Sequence, residues 1–195
     1  MDSKFKLIVD SFGRDRFKFN EPLRDYTALN LGGPAKIFFI AFKSQELIKI
    51  IKLSRQLKLP FFLFGTGSKI MIADSGYPGL VIKNRTNEIK TTSVKGKVTK
   101  FGIGVEEALI EVDSGVSMNK FCEYLDSQKM DSREFKNLPG SIGGNLFLSI
   151  FLQSKVKSIK VLDQTSQVDE ISAENLNPRK DTILSAVFRI SVKDL

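Results

Sequence analysis

The chain of 195 residues contains no histidine and a single cysteine, Cys122. The absence of histidine excludes Ser-His dyads, imidazole acid–base chemistry, histidine-ligated metals and a histidyl covalent link to a cofactor. Any general acid or base must be Asp, Glu, Lys, Tyr, Ser or Cys122. Because one cysteine cannot form an internal disulfide, we expect a reducing, cytoplasmic compartment.

The sequence also lacks long apolar runs and blocks of positive charge. No run approaches the roughly 20 residues needed to cross a bilayer, and the N-terminus has no apolar segment typical of a signal peptide. The net charge is +8, from 30 basic and 22 acidic residues, but the lysines are scattered and no basic block carries interleaved aromatics. We therefore expect no membrane and no nucleic-acid partner, whereas a positive field favours phosphorylated small molecules.

A glycine-rich turn lies between two apolar runs in Phe61–Ile72. Phe61–Phe64 is predicted to be a buried strand, since it is too short and too aromatic for a helix. Gly65 and Gly67 permit positive φ, and their missing side chains allow another group to approach the backbone. Such a turn can direct several N–H groups at an anion such as a diphosphate, although a tight turn without a ligand is the alternative interpretation.

The residues before this turn predict a β-α-β unit. Lys36–Phe42 is an apolar strand, Ser44 is a suitable N-cap for a helix with apolar residues at helical spacing, and Pro60 ends the helical region. Strands joined in this way are parallel, and ligand loops lie at their carboxyl ends. The glycine turn occupies that position.

The second half of the chain predicts further strands and one helix. The strands are expected at 98–102, 108–112, 155–164, 167–172 and 182–190. Ser117 is the expected N-cap of a helix over 118–126, on whose apolar face Cys122 is a buried hydrophobic residue rather than a nucleophile. A second glycine-rich segment, Leu138–Asn145, requires unusual backbone conformations. We expect an α+β fold of two α/β subdomains with a cleft between them.

Four motifs in this order resemble the UDP-N-acetylenolpyruvoylglucosamine reductase (MurB) family. They are Tyr-Thr-x-Leu-x-Leu-Gly-Gly-Pro-Ala (26–35), Leu-Pro-x₄-Gly-Thr-Gly-Ser-Lys (59–69), Asp-x-Gly-x-x-Gly-x-Val-Ile (74–82) and Leu-Pro-Gly-Ser-Ile-Gly-Gly (138–144). The resemblance runs from about Tyr26 to Ile190 and implies a PCMH-type FAD-binding fold. The implied domains are an N-terminal extension at 1–25, FAD-binding subdomain 1 at 26–90 and FAD-binding subdomain 2 at 91–195.

The resemblance also implies cofactor-binding residues, with FAD held non-covalently. In the family, the first glycine turn surrounds the FAD diphosphate, and the second glycine segment lines the same site. The matching residues of the turn are Gly65, Thr66, Gly67, Ser68 and Lys69. Those of the second segment are Pro139, Gly140, Ser141, Gly143 and Gly144. We expect backbone donors at both. A Rossmann interpretation is excluded because the third glycine is missing.

Several departures from the family bear on catalysis. Lys69 stands where the family has Asn, and Ser149–Gln153 replaces an Asn-Ala-Gly-Ala-Tyr type segment. Arg179 lies in a connection without the family's Tyr-Arg-x-Ser segment, whose arginine helps activate the enolpyruvyl group. The chain stops at Leu195, where the family continues into a UDP-sugar domain that supplies a serine proton donor and a glutamate. We therefore assign no catalytic residue and no metal site.

Three functional interpretations follow, so whether the chain is an enzyme stays open. The first is an FAD-binding protein without reductase activity of its own. The second is an NADPH-dependent reductase completed by a partner chain that supplies the UDP-sugar domain. The third is a non-flavin interaction module in which Phe147–Phe151 fill the flavin cleft. The family reaction moves a hydride from NADPH to FAD and then to the enolpyruvyl double bond, which requires a proton donor.

Overall fold

The computed structural model describes residues 3–99 and 102–192, which divide into a first unit that ends at Thr86 and a second unit that begins at Asn87. Part of the predicted strand 98–102 and the last residues of the predicted subdomain 91–195 lie outside the described residues. Each unit has its own sheet, which confirms the predicted mixture of helices and sheets. The subdomain boundaries at 25 and 90 stay a prediction. No described helix is long and apolar enough to cross a membrane.

The first unit contains a four-stranded sheet and two longer helices. In chain order the elements are α1 (Ser3–Phe12), β1 (Phe17–Pro22), β2 (Pro34–Ala41), α2 (Ser44–Gln56), β3 (Phe61–Phe64) and β4 (Tyr77–Asn84). The strand order is β1-β2-β4-β3, with β1 antiparallel to β2 and β4 parallel to both β2 and β3. The predicted β-α-β unit is therefore present, but β4 lies between its two strands.

The prediction that Ser44 is the N-cap of helix α2 is wrong. Lys43 is the N-cap, in an extended conformation, and Ser44 is already the first helical residue. The carboxylate of Glu46 accepts hydrogen bonds from the backbone N–H groups of Phe42 and Lys43, at 2.9 and 3.3 Å. Glu46 thus binds the N–H of the N-cap residue and that of the residue before it, as the third residue of a capping box does.

The second unit contains a five-stranded sheet with every neighbouring pair antiparallel. Its elements are β5 (Ile89–Thr99), β6 (Gly102–Asp113), α3 (Met118–Ser127), α4 (Ile142–Leu148), α5 (Ile150–Gln153), β7 (Val156–Leu162), β8 (Val168–Ile171) and β9 (Thr182–Ser191). The strand order is β5-β6-β9-β7-β8. The strands predicted at 155–164, 167–172 and 182–190 are confirmed.

Helix α3 packs its apolar face into the core of the second unit. Its N-cap is Ser117, whose Oγ accepts the N–H of Lys120 at 3.2 Å, as predicted. The ring of Phe121 lies 4.9 Å from that of Phe188 on β9, centre to centre. Cys122 is buried, and burial raises the pKa of its thiol. A buried thiol with a raised pKa is a poor nucleophile, so the prediction of a hydrophobic role is confirmed.

A polar network crosses four strands of the second sheet. Glu111 of β6 accepts hydrogen bonds from Lys160 Nζ of β7 at 3.0 Å and from Ser185 Oγ of β9 at 2.9 Å. Lys90 of β5 lies 3.1 Å from its other carboxylate oxygen. Burial alone would raise the pKa of Glu111, but the bonds from Lys160, Lys90 and Ser185 outweigh it and lower the pKa to about 2. The carboxylate is therefore a structural anion that ties the strands together.

Candidate functional site

The first glycine turn follows β3 directly, at the carboxyl ends of the parallel strands β2, β4 and β3. This is the edge at which the sequence predicted it. Gly67 is buried, Gly65 and Thr66 are half-buried, and Ser68 and Lys69 are exposed. The turn is therefore accessible on one side and held by the protein on the other.

The backbone of this turn keeps hydrogen-bond donors unused. Among the described residues, no backbone hydrogen bond outside helices and strands has the N–H of Thr66, Gly67 or Ser68 as its donor. The hydroxyl groups of Thr66 and Ser68 lie 3.0 Å apart and contact each other. Successive free N–H groups in a glycine turn form an anion-binding concavity. In the described part of the chain, the turn thus has three consecutive backbone donors available to an anion.

Gly67 packs against the backbone of another segment of the first unit. Its φ is +78°, and a β-carbon placed there would lie 2.0 Å from the carbonyl oxygen of Tyr26 and 3.2 Å from the Cα of Thr27. The N–H of Ala28 donates to the carbonyl of Gly67 at 3.2 Å. The expected close approach to the backbone of Gly67 is therefore present, and the approaching group is the segment Tyr26–Ala28.

A second backbone contact joins the remaining motifs of the first unit. A β-carbon on Gly33 would lie 1.9 Å from the carbonyl oxygen of Asp74, and one on Gly76 would lie 2.0 Å from that of Pro34. The N–H of Gly33 donates to the carbonyl of Ala73 at 3.0 Å. The glycines of the three motifs in this unit therefore allow three segments to pack backbone against backbone, which gives the turn a fixed base.

Lys83, on β4, is a residue of this edge that was not predicted from the sequence. Its Nζ lies 4.8 Å from the ring centre of Phe64 and 5.1 Å from that of Tyr26. Burial, together with the smaller effect of the positive charge of Arg85, lowers the pKa of Lys83 to about 8. The sequence feature that could have indicated this residue is a lysine directly after the apolar residues Leu80–Ile82, near the end of a strand.

The second glycine segment is not a loop over its whole length, since helix α4 begins within it. Ser141 is the N-cap of α4, and its Oγ accepts the N–H of Gly144 at 3.3 Å. Gly143 and Gly144 therefore lie in the first helical turn, a helix start that was not predicted from the sequence. Gly140, with φ of +109°, has the unusual backbone conformation expected of this segment.

Most N–H groups at the start of α4 are already bound. Those of Ile142 and Gly143 donate to the carbonyls of Val116 and Ser114, each at 2.8 Å. A β-carbon on Gly143 would lie 2.9 Å from the Cβ of Ser114, so the close contact between these two segments depends on glycine at position 143. The N–H groups of Ile142 and Gly143 therefore make tertiary hydrogen bonds, and the predicted role of Gly143 in cofactor binding stays a prediction.

Asn145 fixes the shape of the second segment and was not predicted. It is buried, and its Nδ2 donates to the carbonyls of Pro139 and Ser141, at 3.1 and 3.0 Å. The position of Asn145 directly after Gly143-Gly144 does not predict these hydrogen bonds. They form because the folded segment brings the carbonyls of Pro139 and Ser141 close to the Asn145 side chain. The cofactor contacts implied for this segment stay a prediction.

Two departures from the family motif in the second unit, at Arg179 and Phe151, have exposed side chains. Arg179 is exposed on the loop before β9, and its N–H donates to Oδ1 of Asn177 at 3.2 Å. Phe147 and Phe151 keep 49% and 43% of their surface accessible. The interpretation in which Phe147–Phe151 fill a flavin cleft stays a prediction.

Comparisons with known proteins cover the four sequence motifs as a set. The model of the FAD binding domain family matches residues 35–150, a span that contains both glycine segments. The chain is 27% identical to UDP-N-acetylenolpyruvoylglucosamine reductase of Clostridium tetani, over 96% of this chain and 62% of the relative. It is 29% identical to that of Lachnoclostridium phytofermentans, over 89% of this chain and 54% of the relative. The chain thus spans between about half and three-fifths of the length of these relatives.

Solved structures show the same fold. The chain superposes on UDP-N-acetylenolpyruvylglucosamine reductase (MurB) from Thermus caldophilus with a TM-score of 0.56 and 19% identity, over 88% of this chain and 60% of the other. It superposes on p-cresol methylhydroxylase with a TM-score of 0.62 and 13% identity, over 99% of this chain and 44% of the other. At these identities the likeness concerns the fold alone, and it confirms the predicted PCMH-type class.

The four motifs, the fold and the family match agree with one another. They confirm the resemblance to the FAD-binding portion of the reductase family and the predicted cofactor class, FAD. The matched span includes β2–β4 with the first glycine turn, and α4 with the second glycine segment. This chain therefore belongs to the FAD binding domain family.

Proposed function

We propose that this chain is an FAD-binding protein that resembles UDP-N-acetylenolpyruvoylglucosamine reductase, a peptidoglycan-precursor enzyme, and holds FAD non-covalently at the first glycine turn. The observation that carries the proposal is the set of unused N–H donors of Thr66, Gly67 and Ser68 at the carboxyl edge of a parallel sheet. Consecutive backbone N–H groups without partners suit the negatively charged diphosphate of a dinucleotide. No histidine is present for a covalent link.

The residue types at the turn fit this cofactor. The two hydroxyl groups of Thr66 and Ser68 add donors beside the backbone N–H groups, and the exposed Lys69 adds positive charge. FAD, when bound, supplies the capacity to accept and give a hydride. Cofactor contacts of Pro139, Gly140, Ser141, Gly143 and Gly144 are proposed on the family resemblance.

We further propose that this chain does not reduce the UDP-sugar by itself. Reduction of an enolpyruvyl double bond requires a proton donor and a positive charge at the forming carbanion. Arg179 lies in the connection where the family has its Tyr-Arg-x-Ser segment, yet it is exposed on a loop and lacks the flanking motif. The alternatives remain a reductase completed by a partner chain, which would bring NADPH and the UDP-sugar to the flavin, and a non-flavin interaction module. We place the protein in the cytoplasm because of its single cysteine.

A flavin-retention experiment tests the cofactor proposal. The purified chain is mixed with excess FAD, separated from free flavin by gel filtration, and examined by visible absorption. We expect a retained flavin spectrum. Ser68→Asp, which places a negative charge at the exposed side of the turn, should weaken FAD binding about tenfold by charge repulsion. Ser75→Asp, at another exposed serine of the first unit, is the matched control and should bind as the wild type does. Protein that stays colourless at micromolar FAD contradicts the proposal and favours the interaction module.

An NADPH-oxidation experiment tests the proposed lack of reductase activity. The FAD-loaded chain is given NADPH and UDP-N-acetylenolpyruvoylglucosamine, alone and with an extract of the source cells depleted of endogenous reductase. No substrate-dependent oxidation is expected with the chain alone. Turnover by the chain alone overturns this part of the proposal, and turnover that requires the extract supports the partner-chain alternative.

A further inference from the structure

Lys83 lies at the middle of the edge that carries the first glycine turn. Its neighbours across the sheet are Phe64 of β3 and Ile40 of β2. Phe64 is the residue directly before Gly65, so the backbone that carries Lys83 runs beside the start of the turn. Residues at the carboxyl ends of parallel strands are those that face a ligand in α/β folds.

Two aromatic rings hold the ammonium group of Lys83 near the turn. One is Phe64, with its ring centre 4.8 Å from Nζ, and the other is Tyr26, at 5.1 Å. The carbonyl of Tyr26 is the group packed against Gly67. Both rings therefore belong to residues joined to the turn, one in sequence and one by contact, and they restrict where the lysine head can lie.

The charge of Lys83 has no carboxylate partner among the described residues. Ten ion pairs are present in the described part of the chain, and Lys83 belongs to none of them. Burial of an ammonium group without a counter-charge costs free energy, although the two rings offset part of that cost. Phe64 is part of an apolar cluster with Val81 and Phe38, which a methionine at position 83 would extend. A charge whose burial is only partly compensated within the protein indicates a functional position.

We propose that Lys83 is a further FAD-binding residue, whose ammonium group pairs with the diphosphate next to the N–H groups of Thr66, Gly67 and Ser68. This rests on the proposed function. A lysine head is a compact charge on a flexible stem, so it complements a phosphate without requiring a fixed fork geometry. The bound diphosphate supplies the counter-charge that the protein lacks, and charge-assisted contacts of this kind are stronger than neutral ones.

The test measures the affinity of Lys83→Met for FAD and for riboflavin, which has no phosphate, by titration of flavin fluorescence. We expect FAD affinity to fall about ten- to hundredfold while riboflavin affinity stays unchanged. Lys83→Arg should keep most of the FAD affinity, because it retains the positive charge. Lys36→Met is the matched control, since Lys36 also lies over a ring, Phe5 at 4.8 Å, but on the amino-terminal half of β2. It should bind FAD as the wild type does.

The outcomes separate this inference from the proposed function. If the wild type binds FAD and Lys83→Met binds it equally well, the role of Lys83 is refuted and the FAD proposal stands. Equal losses for FAD and riboflavin also refute it, because they indicate an effect on the fold or the ring site. A wild type that binds no FAD refutes both. Thermal melting of each apoprotein checks folding, and Lys83→Gln replaces the methionine variant if that variant does not fold.

Discussion

The carbonyl oxygen of Tyr26 lies only 2.0 Å from the place that a β-carbon of residue 67 would occupy. The glycine at the centre of the turn is therefore required by a contact within the protein. The same contact shapes the turn whose N–H groups are proposed to bind FAD. A substitution at Gly67 should therefore lower the free energy of unfolding even when no FAD is present. The proposed roles of Ser68 and Lys83, in contrast, concern the binding of FAD.

Gly67→Ala is expected to destabilise the first unit by at least about 3 kcal/mol, because the new methyl group meets backbone atoms and φ is +78°. Urea unfolding of the apoprotein measures this change in the free energy of unfolding. Ser68→Ala is the control in the same turn, and among the described residues its exposed hydroxyl contacts only the side chain of Thr66. It should change stability by less than about 0.5 kcal/mol. A Gly67→Ala protein of wild-type stability would contradict the contact with Tyr26.

The two adjacent glycines of α4 are expected to respond differently to alanine. A β-carbon on Gly143 would lie 2.9 Å from Cβ and 3.1 Å from the carbonyl of Ser114, whereas one on Gly144 would meet only Ser141 Oγ at 3.3 Å. Gly143→Ala should lose about 2 kcal/mol, because backbone at Ser114 must shift. Gly144→Ala should lie within about 1 kcal/mol of the wild type, since alanine favours the helix. Equal effects in thermal unfolding would show that α4 does not pack on Ser114 in this way.

The second unit should lose stability at acidic pH through Glu111. Its pKa falls from 4.5 to about 2 on folding, so the carboxylate stabilises the fold above pH 4.5 and the contribution disappears as the pH falls towards 2. Glu111→Gln should lower the free energy of unfolding at pH 7 by about 2 kcal/mol, discounted because Lys90 and Lys160 are half exposed. It should also flatten the pH dependence between pH 2 and 4.5.

Glu106→Gln is the control for Glu111. The pair of Glu106 and Lys95 is exposed, so its loss should cost less than about 1 kcal/mol. Urea titrations at several pH values compare the two variants. The role of Glu111 is contradicted if both variants show the same acid sensitivity as the wild type.

The affinity for FAD should weaken as the pH rises above 8. The pKa of Lys83 is about 8 in the free protein, so at higher pH the lysine must take up a proton to meet the diphosphate. Of the groups around it, Lys18 and Tyr26 have raised pKa values and Glu21 a lowered one, so they keep their charge states between pH 7 and 9. The positive charge of Arg85 is constant in that range. The dissociation constant should rise about tenfold from pH 7 to pH 9.

The Lys83→Arg variant is the control for this pH effect, because its charge does not titrate. Its FAD affinity should be nearly flat over the same range, as followed by flavin fluorescence. A pH dependence that is identical in the wild type and in Lys83→Arg would assign the effect to another group.

Local pattern predicted most elements of the fold. Phe61–Phe64 and 182–190 are apolar runs of strand length, and Ser117 stands directly before a helical apolar pattern. These signals depend on a few neighbouring residues, so a single sequence carries them. The helix start at Ser141 was hidden because Gly143 and Gly144 are poor helix formers, and only their contacts with Ser114 explain them.

The rest of the candidate site depends on contacts between distant segments. Lys83 acquires its surroundings from Tyr26 and Phe64, which approach it only when the sheet has formed. In the same way, the partner of Gly67 is a carbonyl in the Tyr26–Ala28 segment. A glycine pattern predicts that something comes close to the backbone, but the identity of that group is a property of the tertiary structure.

The position of β4 determines when the turn can take its final shape. This strand comes last in the first unit, yet it lies between β2 and β3, and neither of those strands pairs with the other. During synthesis, β3 and the glycine turn after it therefore have no strand to pair with until Asn84 has left the ribosome. A nascent chain that ends earlier cannot assemble the edge where FAD is proposed to bind, so the cofactor can join this protein only after the whole first unit has been made.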